Sequence, residues 1–180
     1  CCASAQQRVP TDVLELVLEC AAALLVQTGK VSDFEKARAH AAACLASGAP
    51  RKKWDELLVA QGADLEAFHR KLALDHTAPV VVELKANREG FVTRCDARIV
   101  GEIVRDLGGG RLTKETVINH DVGIDQLAKP GEGTGRNSIL ARIHAATPEE
   151  AEAACERLKS AFEISNEPPA PLPLICEVIF

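Results

Sequence analysis

Methionine is absent from all 180 residues, and the chain opens on Cys1. A natural open reading frame starts otherwise, so the sequence reads as an interior excision or a processed product. An excess of positive charge is missing too. The 21 basic and 26 acidic residues give a formal net charge of −5, and no Lys/Arg run is interleaved with the aromatics, which make up only 3% of the chain. Phosphate backbones are bound through a basic footprint, so nucleic acid is set aside as a partner. The seven cysteines, at positions 1, 2, 20, 44, 95, 155 and 176, contain no C-x-x-C pair, and no histidine stands at metal-ligand spacing. An odd, scattered set argues against both a disulfide framework and a zinc site. No apolar run reaches the roughly 20 residues that cross a bilayer, because Glu15 and Glu19 interrupt a shorter one; no membrane association is expected. A signal peptide is also lacking, and together with unpaired thiols this points to a cytoplasmic protein. There is no internal repeat and no low-complexity segment.

What is present is an ordinary globular composition, 47% hydrophobic and 26% charged, which excludes the regime in which chains stay disordered. The stretch Val13–Val26 is apolar in nearly every direction around a helix, the mark of a buried helix, yet the neighbouring sequence does not visibly supply enough to cover it. Ser32, with Glu35 three residues on, predicts a capped helix to about Ser47. Gly48 and Pro50 stop it, a third helix around Trp54, Leu57 and Leu58 ends near Gly62, and Asp64 caps a fourth carrying Leu65, Phe68 and Leu72. At Pro79 the character changes. Val80–Leu84 and Phe91–Val92 read as strands flanking a turn at Asn87–Gly90. Asp96 caps a helix with Ile99, Val100, Ile103, Val104 and Leu107 on one face, ended by Gly108.

Further strands are expected at Val117–Ile118, Gly123–Ala128, Ile139–His144 and Leu174–Ile179. Thr147-Pro148-Glu149-Glu150 is a helix start, with Ala151, Ala154, Cys155, Leu158 and Phe162 as the buried stripe. Cys20, Cys44 and Cys155 fall on apolar helix faces, where a thiol acts as a small hydrophobe. The fold class is therefore α+β: an N-terminal helical segment, 1–77, followed by an antiparallel β module with flanking helices, 78–180.

Two glycine clusters invite a phosphate-loop reading and fail it. Phosphate loops run strand, glycines, helix, whereas Gly108-Gly109-Gly110 follows a helix and Gly131 to Gly135 precedes a strand. Both read as chain reversals. His40 and His69 sit on helices, His76 in a linker, and only His120 and His144, near Asp121 and Asp125, suit an acid/base group. No Ser or Cys nucleophile stands in a recognisable setting beside them, so structural roles are expected for these histidines. No catalytic, cofactor-binding or metal-binding residue is assigned.

The ordered series Glu89-Gly90-Phe91-Val92, Asp96, Gly101, Leu107-Gly108-Gly109-Gly110-Arg111, Ile118, Asp121, Val122-Gly123-Ile124 and Ile143-His144-Ala145 resembles the C-terminal signature of the thymidine and pyrimidine-nucleoside phosphorylases. Leu14–Leu25 and Gln61-Gly62-Ala63-Asp64 are similar to further family motifs, and the resemblance covers nearly the whole chain. It implies phosphorolysis of a pyrimidine nucleoside by phosphate in an intact, homodimeric parent, no organic cofactor, and a first segment belonging to the large α/β domain. It also implies that the phosphate loop and base-binding residues lie in an N-terminal part outside this sequence, so the segment alone is expected to be inactive. Some members bind potassium partly near the first helix; where they carry a carboxylate, this sequence has Thr28. The other reading is a free-standing small-molecule-binding or regulatory module on a related scaffold.

Overall fold

The computed structural model describes residues 11–171, 173–175 and 177, and these divide into two compact units between Ala73 and Leu74. The fold is α+β, helices first and a β module after.

The first unit holds helices α1 (Thr11–Gln27), α2 (Phe34–Ala46), α3 (Ala49–Ala60) and α4 (Leu65–Leu72). Local chemistry sets their ends. Gly29, Gly48 and Gly62 take left-handed φ values of 67°, 76° and 82° where each chain reverses, conformations that side chains with a Cβ resist. Asp64 caps α4 as expected, accepting from Ala67 N at 3.0 Å. The cap of α2 is Asp33 rather than Ser32, accepting from Lys36 N at 2.8 Å; a carboxylate one residue nearer the helix takes the free amides first. Small residues let α1 and α2 pack closely: Ala22 and Ala37 are fully buried, with Leu18 and Ala41 nearly so. The expected burial of α1 is not met within the described residues. Val17 and Leu24 are 50% and 61% exposed, because a single neighbouring helix covers only one side of a helix that is apolar on all sides. Cys20 and Cys44 are likewise exposed, not buried.

The second unit, 74–171, contains two three-stranded antiparallel sheets. One orders its strands β1 (Val80–Lys85), β5 (Ile139–Ala145), β3 (Gly123–Asp125). The other orders β4 (Gly133–Thr134), β2 (Gly90–Cys95), β6 (Phe162–Ser165). Helices α5 (Ala97–Val104) and α6 (Pro148–Lys159) share their core, built on Val92, Ile103, Ile143 and Leu158, each at 1% exposure or less. Asp96 caps α5 through Arg98 N and Ile99 N, and Thr147 and Glu150 form a reciprocal capping box on α6.

Several expectations are corrected here. The turn expected at Asn87–Gly90 is present between β1 and β2, and because β1 pairs with β5 and β2 with β4 and β6 it passes from one sheet to the other. Val117–Ile118 is loop, and Val117 is 91% exposed; β-branched residues without a partner strand do not make a strand. The strand expected at Gly123–Ala128 stops at Asp125, where Gln126 takes a φ of 50°. Phe162 begins β6 instead of closing the α6 stripe. Part of the expected strand Leu174–Ile179 lies outside the described residues.

A Cβ at Gly90 would lie 2.3 Å from Ser165 O, on backbone with a φ of 149°. Gly90→Ala should therefore cost about 2 kcal/mol or more of stability. At Gly101, in α5, a Cβ meets no atom within 4 Å, and Gly101→Ala should add about 0.5–1 kcal/mol. Urea denaturation of the two variants beside the parent chain checks both signs.

Candidate functional site

Alternation along β5 places Ala141, Ile143 and Ala145 in the core and Arg142 and His144 on the opposite face. Register then sets their neighbours. Arg142 lies across from Glu83 on β1 and Asp125 on β3, and His144 across from Val81 and Gly123. The guanidinium of Arg142 grips Asp125 through both oxygens, Nε to Oδ1 at 2.9 Å and Nη2 to Oδ2 at 2.6 Å, and donates from Nη1 to Asp75 at 2.7 Å. His144, 9% exposed, brings Nε2 within 2.9 Å of Asp125 Oδ1, a close contact without hydrogen-bond alignment. The ring of His76 lies 6.0 Å from that of His144, and its Nδ1 is 3.2 Å from Ala78 O. Thr77 donates to Asp121.

Electrostatics make this cluster a strap. The bidentate guanidinium, followed by the His144 contact, lowers the Asp125 carboxyl from 3.8 to about 2, and the same bonds push Arg142 still higher. A carboxylate so firmly ionised and doubly engaged makes a poor proton carrier near neutrality. Among the described residues, no serine or cysteine is bonded to it. What the cluster does is tie residues 75–77 to β3 and β5.

Of the two histidines singled out for acid/base chemistry, only His144 enters the cluster. His120 is exposed and makes no hydrogen bond or ion pair among the described residues. His69 faces Arg51 and Asp55, and His40 borders a groove described below. Arg142 and Asp75, 67 residues apart, carried no signal in the sequence; only the fold of the segment ahead of β1 back onto β5 brings them together.

The glycine clusters behave as chain reversals. The helix that begins at Ala97 widens into a π turn at Arg105–Gly109 in which Gly108 has a φ of 97°. A Cβ at Gly109 or Gly110 would come within 3.0 Å of Val104 Cγ1 or 3.1 Å of Arg105 Cα. Gly131 takes a φ of 94° ahead of β4.

In the first unit, Val17, Leu18, Leu24, Leu25, Ala41 and Leu45 line an open groove of about 580 Å³. Its walls are almost wholly apolar. No described helix is long and apolar enough to cross a membrane.

Residues 91–165 match the pyrimidine nucleoside phosphorylase C-terminal domain. These limits have a structural meaning, since Phe91 and Ser165 are partners in the β2–β6 ladder and close the matched segment on itself. Residues 91–165 thus belong to the pyrimidine nucleoside phosphorylase C-terminal domain family. Relatives extend the likeness beyond that domain. The thymidine phosphorylase of Agrobacterium fabrum is 31% identical over 159 residues, 88% of this chain and 36% of the relative. That of Colwellia psychrerythraea is 30% identical over 170 residues, 94% and 39% of the two chains. That of Sinorhizobium fredii is 32% identical over 165 residues, 92% and 38%. The chain thus spans well under half the length of the relatives it matches.

The resemblance bears on Thr28. Its hydroxyl donates to Leu24 O at 2.7 Å and Leu25 O at 3.3 Å, so this end of α1 closes on itself and offers no carboxylate. Thr28 does not supply the carboxylate that the resemblance implies for a potassium ion.

Because the folded Asp125 carboxyl titrates below its unfolded value, its stabilisation is complete above about pH 4 and is lost as the pH falls through about 2. Its side chain is 44% exposed, and water screens the pair. Asp125→Asn should cost only about 1 kcal/mol at pH 7, and the gap from the parent chain should close between pH 4 and pH 2. Urea denaturation across that range measures it.

Proposed function

We propose that this chain is the C-terminal part of a thymidine or pyrimidine-nucleoside phosphorylase and plays a structural, domain-closing role in it. The parent reaction is the reversible conversion of nucleoside and phosphate to free base and (deoxy)ribose 1-phosphate. The observation that carries this reading is the asymmetry of the match: 88–94% of the chain aligns with only 36–39% of proteins named thymidine phosphorylase. Phosphorolysis needs an anion site for phosphate, donors for charge developing on the departing base, and closure that aligns the reactants and excludes water. Among the described residues, neither the glycine-rich turns nor the Asp125 cluster supplies such a constellation. The Asp125 carboxylate is held ionised by Arg142, and the glycine turns serve the backbone.

Within this reading, residues 1–77 are a helical segment of the large α/β domain and 78–180 the C-terminal domain. The open apolar face of α1 and α2 is covered by the preceding part of the same protein. The parent is a cytoplasmic homodimer that binds pyrimidine nucleoside and phosphate, needs no organic cofactor, and engages neither nucleic acid nor membrane.

The coding sequence upstream of Cys1 should encode a Lys/Ser/Thr-rich phosphate loop, and the longer product should phosphorolyse thymidine or uridine. The 180-residue chain, assayed with thymidine, uridine and phosphate, should release no base. A start codon immediately before Cys1, or turnover by the chain alone, would overturn the proposal.

A further inference from the structure

Most arginines in the described chain meet a carboxylate. Arg51 pairs with Asp55, Arg94 with Glu163, Arg98 with Glu102, Arg142 with Asp125 and Arg157 with Asp106. Arg88, Arg111 and Arg136 do not, in a protein whose net charge is −5. Arg111 stands exposed on a loop. Arg88 and Arg136, 48 positions apart in sequence, converge on one end of the β1–β5 sheet. The Nε of Arg136 lies 3.5 Å from Asn87 O, the carbonyl next to Arg88. Arg88 itself donates only to neutral groups, the Asn166 side-chain oxygen and Glu89 O.

The convergence follows from the fold. Beyond the ends of β1 and β5, Ala86 N bonds Ser138 O at 2.8 Å and Asn137 N bonds Ala86 O at 2.9 Å. This extends the ladder and sets the two following arginine-bearing turns side by side. Beside them opens a cavity of about 210 Å³. Its floor is apolar, made by Leu84, Leu140, Phe162 and Ile164, and its rim carries Lys85, Arg88 and Lys159. The two lysines have exposed partners in Glu83 and Glu156. Exposed pairs of this kind hold their cations weakly, so both can reorient toward an incoming anion. A guanidinium without a carboxylate partner is the strongest available donor for a planar or tetrahedral anion.

We propose that this cavity is a binding site for a small organic anion: one carboxylate or phosphate head held by Arg88 and the lysines, on a flat apolar body that covers Phe162 and Ile164. None of Asp75, Asp125, Arg142 and His144 lines it, and it does not depend on the catalytic reading of the parent protein. A volume of about 210 Å³ holds one ring with its head group.

The test is titration of the isotope-labelled 180-residue chain with phenyl phosphate and with benzoate, followed by amide chemical shifts. At least one should bind saturably, with shifts at 85–89, 136–138 and 159–164, and the tighter of the two identifies the preferred head. Inorganic phosphate, which lacks the body, and benzyl alcohol, which lacks the charge, should each bind roughly tenfold more weakly or worse. Arg88→Gln should weaken the preferred ligand by about tenfold, and Arg111→Gln should leave its affinity unchanged. Lys159→Gln is an independent check should Arg88→Gln disturb the fold, and should also weaken binding. Equal affinity in Arg88→Gln and the parent chain, inorganic phosphate binding as tightly as phenyl phosphate, or no saturable binding of either aryl anion would overturn the proposal.

Discussion

The second unit depends on the alternation of β5. One strand, paired on both sides, must satisfy two solvents: Ala141, Ile143 and Ala145 are fully buried against the helices, while Arg142 and His144 face the other way into the charge network. A slip of one residue would exchange these faces. It would place a guanidinium in the apolar core, where an unpaired charge costs several kcal/mol or more. The register is therefore fixed twice, by burial on one face and by the Arg142–Asp125 grip on the other. The β2–β6 ladder then joins the two ends of the matched segment, with Phe91 opposite Ser165.

The two units show what different amounts of buried surface do. In the second, Ile143, Leu158, Ile103 and Val92 interlock in one core. In the first, burial at α1 and α2 is carried mainly by alanines, and large side chains such as Leu16, Val17 and Leu24 remain in water. An alanine removes little apolar area compared with leucine, so its value there is close approach of two helix backbones, not stabilisation by area. A helix that is apolar all round and covered on one side has a surface composed for further contact. That is a property of the sequence of α1, already visible in Val13–Val26, and the structure locates which side remains open.

Features governed by neighbours in sequence were legible. Asp64, Asp96 and Thr147 cap their helices because a side-chain oxygen three residues ahead of a free amide needs no tertiary context. Gly108 reverses the chain as its position after a helix implied. Features that depend on pairing across the fold were not. Val117 and Ile118 have strand-forming side chains and no strand to join, whereas Phe162–Ser165 forms a strand because β2 is there to receive it. The polar cluster divides along the same line. His144 and Asp125 stood out as titratable residues, but Arg142 and Asp75 acquire meaning only once β1, β3 and β5 lie side by side.

Glycine triplets show how little a motif decides without its direction. At Gly108–Gly110 the missing side chains serve close approach: a Cβ at Gly109 would press on Val104, and one at Gly110 on the backbone of Arg105. The chain turns back over the last turn of its own helix, and Gly108 O accepts from Asn119 N at 2.9 Å. This is the carbonyl end of a helix, where the partial charge is negative and an anion is repelled. A phosphate loop uses the same residues at the amide end, where the charge is positive. Arg111, next in sequence, does not reverse that field, because it is exposed and its charge is screened by water. The same electrostatics favour the Arg88–Arg136 end of the β1–β5 ladder, where donors converge without a carboxylate partner, over the glycine-rich turn as the place for a negative charge.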